Sequence, residues 1–296
     1  MEQNFNTLKL YQKEYPDLLR QIDNPPEKVY FKGNTEALGL TCIAVVGTRK
    51  YSEYGEYMTR KIVEELSIYN IAIVSGLAKG IDTIAHNVCL EMDMPTIAVL
   101  GSGINNIYPI ENIKLAKEIE KKGLVISEYP DEAPPLKHYF PQRNRIISGV
   151  SIATLVIEAP ERSGALITAR CALEQGREIF AVPADIDRTN STGIIKLLQK
   201  GAAYPVGSGQ DIIETLKLQP QLFRTCSKRE NKEEPALSLT SQEELILFTL
   251  SKTRGIPIDH INNTTNLSPQ QVLTGLSYLE IKGVIKIKDG NYFRKC

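Results

Sequence analysis

The sequence predicts an α/β protein with a doubly wound parallel sheet, followed by a small winged-helix domain. Apolar segments of strand length alternate with amphipathic segments of helical length between residues 43 and 182. Strands joined through helices pair in parallel, and uniformly apolar strands are typical of a sheet that is covered on both faces. The predicted strands are Ile43–Val46, Ile71–Val74, Thr96–Leu100, Leu124–Ser127, Ala153–Ile157 and Ile179–Val182.

The chain before the first of these strands is predicted to be a lead-in. Residues 1–40 are interrupted by prolines, and Val29–Phe31 has the composition of a short edge strand. The α/β domain then occupies residues 41–218. Its helices are predicted from apolar residues at helical spacing, as in the helix from about Tyr54 to Tyr69.

The turn after the first strand is expected to organise the functional site. Gly47 permits a tight turn. The anion-binding loop that follows contains Thr48, Arg49 and Ser52, and a helix begins near Tyr54. The turn has neither the glycine fingerprint of a dinucleotide site nor the Gly-Lys-Ser/Thr of a P-loop. An arginine here indicates a phosphate that arrives from outside, such as a nucleic-acid backbone. A solvated surface arginine is an equal alternative.

Three later strands lead into similar turns. Ligands of doubly wound sheets bind at the carboxyl ends of the strands, so these turns should lie along one edge. Together they would form a phosphate-holding edge longer than a small cofactor needs, although some of the glycines need only serve tight turns. The turns are Ser75-Gly76, Gly101-Ser102-Gly103 and Ser163-Gly164.

Residues 137–145 interrupt the alternation with a basic and aromatic loop. Lys137, Arg143 and Arg145 accompany Tyr139 and Phe140 within nine residues. Cations that meet phosphates and aromatic faces that stack bases are typical of sites for single-stranded nucleic acid. The alternative is that the two aromatic residues anchor the loop while the arginines pair with acidic side chains.

The C-terminal part is predicted to be a linker and a winged-helix domain. Residues 219–238 are charged and lack apolar periodicity, which indicates a flexible linker. In residues 239–296, Thr240 and Glu243 form a capping box, and an Asp-Gly turn at 289–290 closes a hairpin. The third helix, Pro269–Glu280, contains no Lys or Arg, which favours contact with protein over duplex DNA.

The composition limits the classes of function. The 296 residues contain 35 Lys and Arg and 35 Asp and Glu, so a nucleic-acid partner requires a local basic patch. No apolar run reaches membrane length, and three histidines without clustered ligands make a metal site unexpected. Asp185 and Asp187 are expected to be helix-cap or turn residues rather than metal ligands. Five cysteines without a pattern predict reduced thiols in the cytoplasm: Cys42, Cys89, Cys171, Cys226 and Cys296.

Five motifs in this order resemble the DprA/Smf family of DNA-processing proteins. The resemblance implies a Rossmann-like protein that binds single-stranded DNA, protects incoming strands in natural transformation and loads a RecA-type recombinase. It also implies a homodimer that needs no cofactor. The motifs are Gly47-Thr48-Arg49-x-x-Ser52-x-Tyr54-Gly55, Ser75-Gly76-x-Ala78-x-Gly80-Ile81-Asp82, Phe140-Pro141-x-Arg143-Asn144-Arg145-Ile146-Ile147, Glu158-Ala159 with Ser163 to Ala169, and Gly176-Arg177-x-x-x-Ala181-Val182-Pro183.

The resemblance also implies roles for individual residues. Arg49 would bind a phosphate, Lys137 and Arg143 the DNA backbone, and Phe140 would stack on a base. Three positions depart from the family pattern: Ala184 replaces a usual glycine, and 194–195 are isoleucines where Cys-Asn is usual. The other DNA-binding residues implied are Ser52, Asn144, Ser163, Gly164 and Thr168.

Two other classes of function are weighed against this one. A nucleotide-hydrolysing enzyme of a related fold would need a glycine-rich phosphate loop followed by a catalytic glutamate. The corresponding stretch, Glu161–Thr168, lacks that carboxylate, so no enzymatic activity and no catalytic residue are predicted. The other class is an interaction scaffold for which DNA contact is incidental.

Overall fold

The computed structural model describes residues 5–218, 239–251, 255–265, 267–288 and 290–294. They belong to two compact units, the first within residues 1–224 and the second within residues 225–296. The predicted linker, Asp289 of the hairpin turn, Cys226 and Cys296 lie outside the described residues.

The first unit is built on one nine-stranded sheet, in which seven neighbouring strands are parallel. Its strands are β1 (Asn6–Lys9), β2 (Lys28–Gly33), β3 (Thr41–Val46), β4 (Ile71–Ser75), β5 (Thr96–Val99), β6 (Leu124–Ser127), β7 (Ala153–Val156), β8 (Glu178–Ala181) and β9 (Tyr204–Pro205). The order in space is β1-β2-β6-β5-β4-β3-β7-β8-β9. All pairs from β6 to β9 are parallel, and β2 pairs antiparallel with both β1 and β6. The predicted doubly wound sheet is confirmed.

Helices cover both faces of this sheet. They are α1 (Asp17–Arg20), α2 (Glu53–Leu66), α3 (Ile81–Glu91), α4 (Ile113–Lys122), α5 (Tyr139–Gly149), α6 (Gly164–Glu174), α7 (Thr192–Gln199) and α8 (Gly209–Leu216). Along β3, Ile43 and Val45 belong to the core that includes α2 and α3, while Ala44 and Val46 belong to the core that includes α5 and α6. All four are buried, which explains the uninterrupted apolar run in the sequence.

Residues 5–40 belong to the first unit and supply two strands of its sheet, β1 and β2. The expected edge strand Val29–Phe31 lies within β2, which is an interior strand between β1 and β6. The Tyr15 side chain is buried, and its hydroxyl donates to the Pro26 carbonyl at 2.8 Å. The segment therefore packs into the α/β unit, because antiparallel pairing extends the sheet beyond the alternating strands and helices that define it in the sequence.

The second unit has the predicted winged-helix architecture. Its elements are α9 (Ser241–Thr249), β10 (Ile256–Pro257), α10 (Ile258–Thr265), α11 (Pro269–Ile281), β11 (Ile285–Lys288) and β12 (Asn291–Arg294), with strand order β10-β12-β11. Thr240 and Glu243 form the predicted capping box at the start of α9. Across both units, no helix in the described ranges has the length and apolarity that crossing a bilayer requires.

A buried histidine links α3 to β5. His86 is fully buried, and its Nδ1 lies 2.7 Å from the hydroxyl oxygen of Thr96. Since that hydroxyl donates its hydrogen to the Ile73 carbonyl, we infer that His86 Nδ1 carries a proton and donates to Thr96. Burial, assisted by the charge of Arg143, lowers the pKa of His86 to about 3.

We predict that His86 makes the stability of the first unit depend on pH below about 6.5. The unfolded chain binds a proton near pH 6.5, whereas the folded His86 stays neutral down to about pH 3. The free energy of unfolding should therefore fall by about 1.4 kcal/mol per pH unit as the pH drops below 6.5.

Chemical denaturation followed by circular dichroism at pH 6.5 and pH 5.0 measures this slope. His86→Gln should remove most of it, and the exposed His138→Gln serves as the matched control. An unchanged pH dependence in His86→Gln would contradict the assignment.

Candidate nucleic-acid interface

The strand order reverses between β3 and β7, and a cleft lies at the carboxyl ends of these two strands. From β3 the chain builds one half of the sheet through β4, β5 and β6, and from β7 it builds the other half through β8 and β9. Such a switch point leaves a crevice between the two diverging loops. The cleft has a volume of about 850 Å³ and is lined by the loops after β3 and β7 and by the first turns of α5 and α6.

The cleft brings together the predicted site residues apart from Ser52. It also contains residues that sequence reasoning missed. Lys50 and Arg162 adjoin predicted positions, whereas Tyr108 and Asn190 come from distant loops without a recognisable sequence signal. The predicted residues that line the cleft are Arg49, Lys137, Phe140, Arg143, Asn144, Ser163, Gly164 and Thr168.

Four exposed cations give the cleft its positive charge. Arg49 and Lys50 follow β3, Lys137 precedes α5, and Arg162 precedes α6. Within the described part of the chain, their side chains form no ion pair or hydrogen bond. The one carboxylate that lines the cleft among the described residues is the buried Asp82. The cleft therefore suits a polyanion such as a phosphate chain.

Arg143, predicted to contact the DNA backbone, lines the cleft but also forms hydrogen bonds within the protein. Its side chain is buried, and Nη1 donates to the carbonyls of Gly76, at 2.7 Å, and of Val99. These carbonyls lie at the ends of β4 and β5, so the guanidinium joins two strand ends. Asp82 accepts from the amides of Gly76, at 3.1 Å, and Ala78, at 3.3 Å. Burial lowers the pKa of Arg143 to about 10, and the nearby Asp82 charge opposes that shift.

Ser52 is not among the residues that line the cleft. It caps α2: its hydroxyl accepts from the Gly55 amide at 3.2 Å and donates to the Glu158 carboxylate. The Ser52 amide donates to the same carboxylate at 2.9 Å. The negative group expected at the start of α2 is therefore an internal one, the side chain of Glu158, because the helix dipole favours any nearby carboxylate.

The two aromatic residues of the basic loop have different positions. Tyr139 stacks on Tyr129 with ring centroids 3.8 Å apart, so it anchors the loop as the alternative interpretation proposed. Phe140 is half-buried, lies 5.5 Å from Tyr108 between ring centroids, and forms a wall of the cleft. Arg145 pairs with Glu128, which again matches the alternative.

The start of α6 forms the opposite wall of the cleft. Ser163 caps this helix by accepting from the Ala165 amide at 3.3 Å, and Gly164 is exposed at its first turn. Asn144 of α5 donates to the Gly164 carbonyl at 3.2 Å, which fixes the two helices at the cleft floor. Thr168 lies one turn further along α6 and is buried. The positive end of the α6 dipole thus faces the same space as the four cations.

The carboxylates near the cleft are engaged in internal contacts. Asp82 accepts hydrogen bonds from backbone amides, and Glu158 accepts hydrogen bonds from Ser52. The exposed Glu161 forms an ion pair with Lys196. Among the described residues, no group of three or more His, Cys, Asp or Glu side chains is placed to hold a metal ion.

The fold and the site define an α/β protein of the Rossmann-like class with an open cationic cleft at its switch point. The family described as DNA recombination-mediator protein A matches residues 6–217, and the one described as DprA winged helix domain matches residues 230–291. The chain belongs to this DprA/Smf family.

Two curated relatives show how far the similarity extends. The protein Smf of Escherichia coli is 38% identical over 285 residues, which span 95% of this chain and 75% of the relative. The DNA processing protein DprA of Bacillus subtilis is 42% identical over 216 residues, which span 73% of this chain and 72% of the relative. The similarity to the first of these relatives reaches into the second unit.

Two solved structures are similar in fold and sequence. DprA from Streptococcus pneumoniae superposes with a TM-score of 0.69 at 42% identity, covering 72% of this chain and 74% of that structure. DNA processing protein A from Helicobacter pylori superposes with a TM-score of 0.66 at 31% identity, covering 73% of this chain and 97% of that structure. The latter structure is described as showing a single-stranded DNA binding mode.

We predict that Arg143→Met destabilises the first unit. The substitution leaves the Asp82 charge buried beside two carbonyls that have lost their donor. Leaving a buried acceptor without its donor costs about 1–3 kcal/mol for each group. Denaturation of Arg143→Met and of the exposed control Lys137→Met measures the difference. Equal stability of the two variants would show that the guanidinium is not needed for the strand ends and is free for a ligand.

Proposed function

We propose that the cleft binds single-stranded DNA. The observation that carries the proposal is a set of four exposed cations around one cleft, which have no partner among the residues that the structure describes, together with the open start of α6. Cations and a helix N-terminus that converge from separate loops suit the successive phosphates of a polynucleotide. The related structure from Helicobacter pylori, described by its mode of single-stranded DNA binding, supports the same assignment.

Apolar and aromatic side chains next to the cations favour a strand whose bases are accessible. Phe140 and Tyr108 form one side of the cleft, and the exposed Ile167 lies on α6. Bases stack on such surfaces in single-stranded sites, whereas a duplex keeps its bases paired and stacked internally. In this arrangement, the phosphates are bound by the four cations Arg49, Lys50, Lys137 and Arg162.

In the cell, we propose a non-enzymatic role in natural transformation. The protein would protect incoming single strands and load a RecA-type recombinase onto them, as a homodimer in the cytoplasm. Membership in a family described as DNA recombination-mediator protein A supports this role. Contacts with phosphates are reversible, which also allows a bound strand to be transferred to the recombinase. Incubation with nucleoside monophosphates and a search for released base distinguish this role from nucleotide hydrolysis.

We predict that Arg49→Ala weakens binding of single-stranded DNA roughly tenfold, because it removes a charge-assisted contact worth about 1.4 kcal/mol. Loss of one phosphate contact should also reduce the slope of log affinity against log salt concentration by about 0.7. Mobility-shift titrations with a single-stranded oligomer at two salt concentrations measure both effects.

Lys117→Ala is the matched control for that experiment. Lys117 is exposed and lies near Gly33. Gly33 pairs with the first residue of β6, so Lys117 lies at the end of the sheet opposite to the carboxyl ends that form the cleft. If Arg49→Ala and Lys117→Ala showed the same affinity and the same salt slope, Arg49 would have no place in the site.

We predict that Phe140→Ala weakens binding of single-stranded DNA by about 1–3 kcal/mol, the value of one stacked base. Because stacking requires an unpaired base, a duplex of the same sequence should compete poorly with the single strand for the wild-type protein. The same titration with both competitors tests this. Unchanged affinity in a folded Phe140→Ala variant would show that the ring packs against Tyr108 and does not stack on a base.

A further inference from the structure

Glu158 is a buried carboxylate that receives three hydrogen bonds from the neighbourhood of the cleft. It follows β7 and is almost fully buried. Its carboxylate accepts from the Ser52 amide at 2.9 Å, from the Ser52 hydroxyl, and from Asn190 Nδ2 at 3.2 Å. Three donors on one carboxylate compensate for the loss of water that burial imposes.

These contacts hold the loop 48–52, which carries two of the four cleft cations, at three points. At its start, the Thr48 amide donates to the Glu158 backbone carbonyl at 2.8 Å. In its middle, Asn190 Nδ2 donates to the Lys50 carbonyl at 2.9 Å as well as to Glu158. At its end, Ser52 is fixed by the Glu158 carboxylate. The side chains of Arg49 and Lys50 remain outside this framework, exposed in the cleft.

The first turn of α2 is built to bring this carboxylate close. A Cβ atom on Gly55 would lie 2.4 Å from Glu158 Oε2, a separation that side-chain carbons do not tolerate. Gly55 therefore allows the helix start to approach Glu158, and the negative charge lies at the positive end of the α2 dipole. A phosphate from a ligand cannot occupy the same place.

We propose that Glu158 is a positioning residue for the DNA-binding loop. It holds the loop 48–52 so that Arg49 and Lys50 face the cleft, and it occupies the start of α2 so that the bound strand lies between that loop and α6. The proposal rests on the proposed function, because it concerns the same cleft. Glu158 itself is predicted to make no contact with the DNA.

The first experiment compares Glu158→Ala with the isosteric Glu158→Gln in single-strand titrations. Glu158→Ala should weaken binding about tenfold, similar to removal of Arg49 itself, and Glu158→Gln should remain within about threefold of wild type because its amide still bonds Ser52. A defect of equal size in both variants would overturn the proposal, since charge rather than position would then matter.

Double variants test whether Glu158 acts through the loop. In the Glu158→Ala background, Arg49→Ala should cost less than about threefold, because Arg49 has already lost its position. Lys137→Ala, on the other side of the cleft, should cost as much as it does in the wild-type background. Full additivity of Glu158→Ala with Arg49→Ala would overturn the proposal.

Amide hydrogen exchange provides a measurement that needs no DNA. In Glu158→Ala, the Ser52 amide loses its acceptor and should exchange at least about tenfold faster, whereas the Thr48 amide keeps its bond to the Glu158 backbone carbonyl and should not change. Should the wild-type protein fail to bind single strands, the proposed function falls while this measurement still reports on the loop. Unchanged Ser52 exchange would overturn the positioning role.

Asn190→Ala is the second variant, to be used if Glu158→Ala fails to fold. It removes the bonds of Asn190 to the Lys50 carbonyl and to the Glu158 carboxylate, while the Glu158 bonds to Ser52 remain. It should weaken single-strand binding about threefold and show the same non-additivity with Arg49→Ala. Unaltered binding by a folded Asn190→Ala variant would contradict the proposal that these hydrogen bonds hold the loop 48–52 in its binding position.

Discussion

The burial of the central strands on both faces is the constraint on which the rest of this structure depends. Ile43 and Val45 pack on one side of β3 and Ala44 and Val46 on the other, so these four positions are restricted to apolar side chains. Polar chemistry is therefore confined to the loops where the strands end. The reversal of strand order at β3 and β7 then separates two such loops and leaves space between them.

Internal pairing of acidic groups explains how a protein without net charge forms a positive cleft. Lysines and arginines equal aspartates and glutamates in number over the whole chain. At the carboxyl edge, however, Asp82 is used by the backbone of the turn after β4, and Glu158 is used at the start of α2. The cations of the surrounding loops consequently have no acidic partner among the described residues that line the cleft.

The sequence predicts where the site lies better than it predicts how each residue takes part. Parallel strands end at one edge, so the turns at Gly47 and Ser163 could be placed in the cleft from their spacing alone. The direction of the Arg143 side chain depends on the carbonyls of Gly76 and Val99, 67 and 44 residues away in the chain, and no local pattern reports them. Ser52 likewise meets Glu158 only because β3 and β7 are neighbours. Tyr108 and Asn190 reach the cleft from the segments after β5 and β8, and no local pattern reports this either.

The antiparallel pairing of β2 with β6 affects how the chain folds as it is synthesised. Phe31 finds its partner Ile126 only after β3, β4 and β5 and their connecting helices have been made. The strand β2 thus leaves the ribosome long before β6, the strand that completes its hydrogen bonding. Contacts so distant in the chain slow folding, and they leave an unpaired strand exposed to aggregation in the meantime.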